Sequence, residues 1–197
     1  MKERFLPRHQ IPLLPGTTYE RPPEQPELVR LINPAVDVMT DFTYVHPVTT
    51  DPDMPIDNAL ELMKTAGVRL LLVTNEQDQI IGLITARDIQ GEKPIRQLEE
   101  TRTVRSSITV EMIMTRQSEI TVLDMRSVQD AEVGHIIETL KQLERQHILV
   151  VEVDDNTGGQ RVRGMFSTSQ ISKNMLQDIS QDIPAAHSLA EIVHDIG

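Results

Sequence analysis

The same sequence of hydrophobic and polar segments occurs twice along the chain. The first begins with an apolar stripe that has the i, i+3, i+4, i+7 spacing of a helix face, at Ile56, Ala59, Leu60 and Met63. Two apolar runs follow at 69–74 and 79–85, and the polar residues 75–78 between them are typical of a hairpin turn. The pattern predicts a helix, two antiparallel strands and a short helix.

The second stretch has the same stripe at Val133, Ile136, Ile137 and Leu140. Its apolar runs at 147–153 and 161–167 flank a longer polar turn at 154–159. Shorter matches recur between the stretches: Met39-Thr40 with Met114-Thr115, and Gly82 with Gly164. The chain is therefore predicted to contain one unit twice, with insertions confined to loops.

Four segments follow from this repeat. Residues 1–35 hold seven of the twelve prolines and predict an extended arm, with a turn of helix near 28–32. The first unit and a polar linker (Gly91 to Ser107) span 36–107, and the second unit spans 108–175. In the tail, 176–197, a capping-box pattern at 188–191 predicts a short helix. We expect the apolar residues of arm and tail to dock on this chain or a partner.

The composition of the chain excludes or disfavours several classes of function. The 197 residues carry a net charge of −11 and no cysteine. This excludes thiol chemistry and disfavours nucleic-acid or anionic-membrane binding, which needs a basic face. No apolar run has the length of a membrane span and no signal region is present, which predicts a cytoplasmic location. The histidines lack the spacing of a zinc site, and no motif places a base beside a nucleophile, so we expect no enzyme.

The most informative chemistry lies where the last strand of each unit ends. The first unit has Thr85-x-x-Asp88 there, and the second has Ser167-x-x-Gln170. Both match a capping box, in which the hydroxyl and the side chain three residues later satisfy backbone N–H groups. Helix capping explains both copies, whereas a binding role for a carboxylate favours the first.

The tandem pattern resembles a pair of CBS domains, the arrangement known as a Bateman module. In the first unit the resemblance is carried by Val38-Met39-Thr40 and by residues 58–63, 68–73 and 82–89. In the second it is weaker and rests on residues 114–115, 145–151 and 164–167. The resemblance implies an α/β (α+β) fold of two β-α-β-β-α units packed around a pseudo-twofold axis. It also implies a homodimer, a regulatory role, and a cleft between the units that binds AMP, ADP, ATP or S-adenosylmethionine.

On that resemblance the candidate site can be stated residue by residue. Asp88 would accept both ribose hydroxyls, and Thr85 at the start of the helix would meet a ribose or phosphate oxygen. The remaining candidates are Arg87 for phosphate charge, Arg69 and His147 facing the cleft, Val48 and Ile84 as apolar walls around adenine, and Ser167 in the second copy. Since Gln170 replaces the aspartate in that copy, we expect one competent site per chain.

Three functional hypotheses remain open at this point. The first is a stand-alone CBS-pair sensor that regulates a separate protein. The second is a ligand-free dimerisation or scaffold module, which is favoured by Gln170 and by the capping alternative. The third is an uncharacterised hydrolase, which is supported only by scattered Ser, His and Asp residues.

Overall fold

The fold was analysed in a computed structural model, which describes residues 28–102 and 104–175 together with 10, 12–15, 17, 18 and 179. Most of the predicted arm and the predicted helix at 188–196 lie outside the described residues. Residues 31–32 form a turn rather than a helix, and a 3-10 helix follows at Ala35–Val38.

The described residues form eight strands and seven α-helices. The strands are β1 Thr40–Asp41, β2 Thr49–Thr50, β3 Leu70–Thr74, β4 Ile80–Thr85, β5 Thr115–Arg116, β6 Val122–Asp124, β7 His147–Val153 and β8 Gln160–Ser167. The helices are α1 Ile56–Ala66, α2 Ala86–Gln90, α3 Lys93–Thr101, α4 Val110–Ile113, α5 Met125–Gln129, α6 Val133–Gln142 and α7 Thr168–Met175. No helix within this part of the chain is long and apolar enough to cross a membrane.

Both predicted helical stripes and both predicted strand pairs are present. The stripe residues of α1 and α6 face the cores of their units, and α1 ends at Gly67, whose left-handed φ of 67° favours glycine. β3 pairs antiparallel with β4, and β7 pairs antiparallel with β8. The repeated pattern therefore predicted the body of each unit.

The two units exchange a short strand. One sheet has the order β2-β3-β4-β5 and the other β1-β8-β7-β6. β1, near the start of the first unit, thus completes the sheet of the second, with Thr40 opposite Met165. β5, near the start of the second unit, completes the sheet of the first, with Thr115 opposite Leu83. The chain crosses between the units twice, in a pseudo-symmetric way.

The exchange explains the repeated glycines. A Cβ atom added to Gly82 would lie 2.7 Å from the carbonyl oxygen of Thr115, and one added to Gly164 would lie 2.4 Å from that of Thr40. Only glycine allows the exchanged strand to approach this closely. In each sheet the repeated Thr therefore lies on the exchanged strand and the repeated Gly on the strand that it contacts.

An ion pair holds the exchanged β1 on β8. Arg163 donates from Nε to Asp41 Oδ1 at 2.9 Å and from Nη2 to Oδ2 at 2.8 Å, and its other nitrogen pairs with Glu152. This hydrogen-bonded guanidinium holds the pKa of Asp41 well below its usual value of 3.8. Bidentate pairing of this kind belongs to the stronger class of hydrogen bonds.

Three apolar clusters stabilise the molecule. One fills each unit beneath its helices, and the third lies between the two sheets around Leu70, Leu72 and Leu149. In β3 the alternation of side chains sends Leu71 and Val73 into the first unit, while Leu70 and Leu72 meet the other sheet. The shared cluster makes the two units one packed body.

The polar linker contains a helix. Residues 93–101 form α3, and Leu98 packs against the core of the first unit. The turn around Gly91 brings the start of α3 back beside α2. The linker therefore contributes side chains to the region where β4 ends.

Candidate ligand site between the two units

A cleft opens where β4 and α2 of the first unit face the start of β7 in the second. Its main cavity has a volume of about 770 Å³. Its apolar lining comes from strands of both sheets, at Leu70, Leu83, Ile148 and Leu149, and from Ile120 and Leu143 outside the strands. A side lobe of about 530 Å³ shares Thr85, Arg87 and His147 with the main cavity and adds Arg69. The predicted polar residues therefore lie at the border of one cleft with an apolar floor.

Thr85 and Asp88 form a complete capping box at the start of α2. The Asp88 backbone N–H donates to Thr85 Oγ1 at 3.2 Å. In return, Asp88 Oδ2 accepts from the Thr85 backbone N–H at 2.9 Å and from its hydroxyl at 2.6 Å. The capping interpretation is thus present in the structure, and it engages one carboxylate oxygen.

The other oxygen of Asp88 pairs with the linker helix. Lys93 Nζ lies 2.7 Å from Asp88 Oδ1 and also donates to the backbone carbonyl of Ile113 at 3.0 Å. The Asp88 side chain keeps 16% of its surface exposed, and Asp88 and Lys93 both line the main cavity. The carboxylate therefore borders the cleft with both oxygens already hydrogen-bonded.

Three predicted site residues do not line the cleft. Ile84 is fully buried in the core of the first unit, because neighbours along β4 point to opposite faces and Thr85 takes the cleft side. Val48 packs against the same core, and its carbonyl accepts from Leu72 N–H at 3.1 Å. Ser167 lies at the equivalent position of the second unit, where its hydroxyl accepts from the backbone N–H of Gln170 at 3.2 Å. Among the described residues, Val48 and Ile84, the expected adenine walls, therefore lie outside the lining of this cleft.

His147 is neutral in this environment. Burial lowers its pKa to about 4, the charge of Arg69 acts in the same direction, and Asp88 opposes both. The residue begins β7 and is held there opposite Ser167. Near neutral pH its imidazole therefore offers one donor and one acceptor to the cleft.

The basic residues of the cleft fall into two groups. Lys93 is paired with Asp88, and Arg96 is paired with Glu92 at 2.8 Å. Within 28–102 and 104–175, Arg69, Arg87 and Arg145 make no ion pair. In the main cavity Arg87 and Arg145 are accompanied by Glu119 and Glu144, whereas the charged residues of the side lobe, among those described, are Arg69 and Arg87. The side lobe is therefore the part of the cleft that suits an anionic group on a ligand.

Sequence reasoning missed Lys93, Arg96 and Arg145 as cleft residues. Lys93 and Arg96 lie in the predicted linker, and the turn before α3 brings them to the cleft, where Lys93 pairs with Asp88. Arg145 lies two residues before His147, the first residue of β7, and this proximity was the available signal. In the part of the chain that is described, no three His, Asp or Glu side chains form a group that suits a metal ion.

The comparisons with known proteins agree with this architecture. Residues 35–92 match the family model of the CBS domain. No curated protein matches the sequence. Among solved structures, an uncharacterized conserved protein from Pyrococcus horikoshii is 23% identical with a TM-score of 0.52, covering 74% of this chain and 93% of its own. CBSX2 in complex with AMP is 20% identical with a TM-score of 0.50, covering 73% and 96%. A further structure of CBSX2, a CBS-pair protein from Arabidopsis thaliana, is 20% identical with a TM-score of 0.47, covering 73% and 94%.

The molecule therefore has the fold of a tandem CBS pair. In the first unit, residues 35–92 also match the family model of the CBS domain by sequence. The second unit shares that architecture in the structure, with the same helix, hairpin and short helix and with a reciprocal exchanged strand. The predicted fold class is confirmed.

Proposed function

We propose that this protein is a regulatory CBS pair that binds an adenine nucleotide or another adenosine derivative in the cleft between its units. The observation that carries the proposal is the cleft itself. Among the described residues, a cavity of about 770 Å³ with apolar side chains from both sheets is also lined by Thr85, Asp88 and two arginines that make no ion pair, Arg87 and Arg145. Small-molecule sites have volumes of about 300–1,000 Å³ and combine an apolar lining with a few polar groups.

The chemistry of the border matches the parts of a nucleotide. The apolar floor suits a base, Asp88 can accept from ribose hydroxyls, and Arg69 and Arg87 suit phosphate oxygens. CBSX2, whose fold this chain shares, has been solved in complex with AMP. This supports an adenosine ligand as the first class to test, with AMP, ADP, ATP and S-adenosylmethionine as candidates.

A regulatory role requires more than binding. The ligand must prefer one conformation, and that conformation must be read by a separate protein. We infer that the regulated molecule is a separate protein and that the chain works as a homodimer in the cytoplasm, as the resemblance to CBS pairs implies. Regulation without catalysis is the role that the resemblance to CBS pairs implies.

Isothermal titration calorimetry with AMP, ADP, ATP and S-adenosylmethionine tests the proposal. Asp88→Ala should weaken the best ligand by about tenfold or more, since charge-assisted hydrogen bonds contribute about 1.5–3 kcal/mol. The matched control is Asp124→Ala, which removes a carboxylate that caps α5 in the second unit through Arg126 N–H at 2.9 Å. Unchanged affinity in Asp88→Ala, or no binding of any of the four compounds at millimolar concentration, contradicts the proposal.

A ligand-free scaffold is the second candidate function. It is favoured by one observation: both oxygens of Asp88 are already engaged, by Thr85 and by Lys93. In that case the carboxylate serves only to cap α2 and to hold α3. A scaffold predicts a stable dimer whose melting temperature is indifferent to all four compounds.

A further inference from the structure

The carboxylate of Asp88 has little acceptor capacity left. A carboxylate offers about four lone-pair sites. Two are used at Oδ2 by the backbone and hydroxyl of Thr85, and a third is used at Oδ1 by the ammonium of Lys93. A ribose presents two neighbouring hydroxyl donors. Both cannot bind Asp88 until one of the present donors leaves.

The two present donors differ in how readily they can leave. The Thr85 bonds are local, because both partners belong to the same capping box at the start of α2. Lys93 comes from another helix, and its side chain is 44% exposed. Its ammonium ends a flexible stem and can be hydrated as soon as it leaves the pair. Lys93 is therefore the donor that a ribose displaces.

We propose that Lys93 is a built-in competitor for the ribose position, so that ligand binding at Asp88 releases the start of α3. The inference rests on the proposed function and adds a regulatory step to the same site. Lys93 also donates to the carbonyl of Ile113, the last residue of α4. When its ammonium leaves Asp88, the contact that joins α2, α3 and α4 at this point is broken. Occupancy of the cleft is thus converted into a change at the linker helix.

The proposal makes Lys93 an affinity-determining residue, and removing it should improve binding of a neutral nucleoside. Adenosine and 2′,3′-dideoxyadenosine are the probes, because neither carries a phosphate that Lys93 could attract. Lys93→Met should raise the affinity for adenosine by about threefold to fivefold, the equivalent of a partly exposed ion pair. Dideoxyadenosine lacks both hydroxyls, so its affinity should not change.

The control variant removes a lysine from a pair of similar geometry elsewhere. Lys64 lies 2.6 Å from Glu61 on the exposed face of α1, outside the cleft. Lys64→Met should change neither affinity. If Lys93→Met melts at a much lower temperature than the wild type, Lys93→Gln keeps a polar side chain at the position and serves as the second variant.

Each outcome of the titrations decides the matter. If the Lys93 variants bind adenosine more tightly than the wild type does, and dideoxyadenosine with unchanged affinity, the result supports Lys93 as a competitor for the ribose position. If the wild type binds adenosine and AMP but Lys93→Met gives no gain, the competitor is refuted while the proposed function stands. If Lys93→Met weakens AMP and leaves adenosine unchanged, Lys93 binds phosphate and is no competitor. If the wild type binds one of the nucleotides but neither it nor a Lys93 variant binds adenosine, the competitor is refuted while the proposed function stands. If neither the wild type nor any variant binds adenosine, AMP, ADP, ATP or S-adenosylmethionine, the proposed function fails and the competitor with it.

Discussion

The bidentate pair between Arg163 and Asp41 is predicted to hold the exchanged strand β1 in place. The two side chains are only 26% and 16% exposed, and they make two parallel hydrogen bonds at 2.8 and 2.9 Å. Hydrogen bonds to charged groups contribute about 1.5–3 kcal/mol each, whereas exposed ion pairs contribute about 0–1 kcal/mol. We therefore expect a coupling free energy of about 2–3 kcal/mol between these two residues.

A double-mutant cycle measures this coupling. Asp41→Asn, Arg163→Gln and the double variant are unfolded with urea, and the non-additive part of their free energies of unfolding isolates the pair. The pair between Arg126 and Asp155 is the matched control, since it joins the same residue types with side chains 59% and 79% exposed. A coupling below about 1 kcal/mol at Asp41, or one no larger than in the control, refutes the reasoning.

The same pair predicts a stability that falls in acid. The folded-state pKa of Asp41 lies below its usual value of 3.8, because Arg163 stabilises the charged form. Its contribution is fully present above about pH 4 and is lost as the pH falls below that value. Asp41→Asn should flatten this part of the stability profile. An unchanged acid limb in the variant would assign the acid sensitivity to other groups.

Two further predictions concern the crossing strands and the cleft. Gly164→Ala should destabilise by about 1–3 kcal/mol in urea unfolding, because its Cβ meets the carbonyl of Thr40, whereas Gly159→Ala, whose Cβ meets only the Thr157 hydroxyl at 3.1 Å, should cost far less; equal losses would contradict the close-approach argument. His147 has a pKa lowered to about 4, so its contribution to the free energy of unfolding is present above about pH 6.5 and is lost as the pH falls toward 4, by up to about 3 kcal/mol. Comparing the free energy of unfolding at pH 7.5 and 4.5 in the wild type and in His147→Gln checks this. An identical pH dependence in both would show that the pKa of His147 is not lowered in the folded protein.

The parts of the fold that local periodicity encodes could be predicted from the sequence. The stripes of α1 and α6 and the two hairpins are patterns of five or more residues, which makes their period measurable. β1 and β5 are two residues long and have no period of their own. The only trace of these strands in the sequence was that Met-Thr and a glycine occur in both units. That recurrence does not reveal the pairing, because β1 contacts β8 more than 100 positions further along the chain.

The differences between the predicted site residues and the residues that line the cleft have similar physical causes. Ile84 could have been excluded from sequence alone, because adjacent strand residues face opposite sides and Thr85 was already placed in the cleft. Lys93 could not have been found this way, since its contact with Asp88 depends on how the chain turns between α2 and α3. The capping box was visible in the sequence, but the pattern does not tell whether the second carboxylate oxygen faces solvent, a ligand or a lysine.

The strand exchange limits how this molecule can respond to a ligand. Rotating one sheet against the other would open the apolar cluster around Leu72 between the sheets, and β1 and β5 would have to move with the sheets to which they pair. Such a movement would expose buried leucines, so its free-energy cost is high. Moving the Lys93 ammonium breaks one partly exposed ion pair and one hydrogen bond. A ligand with modest binding energy can bring about the second change far more readily than the first, since a shift cannot exceed the ligand's differential affinity. On the proposed function, we therefore infer that the linker helix is the element on which occupancy of this cleft acts.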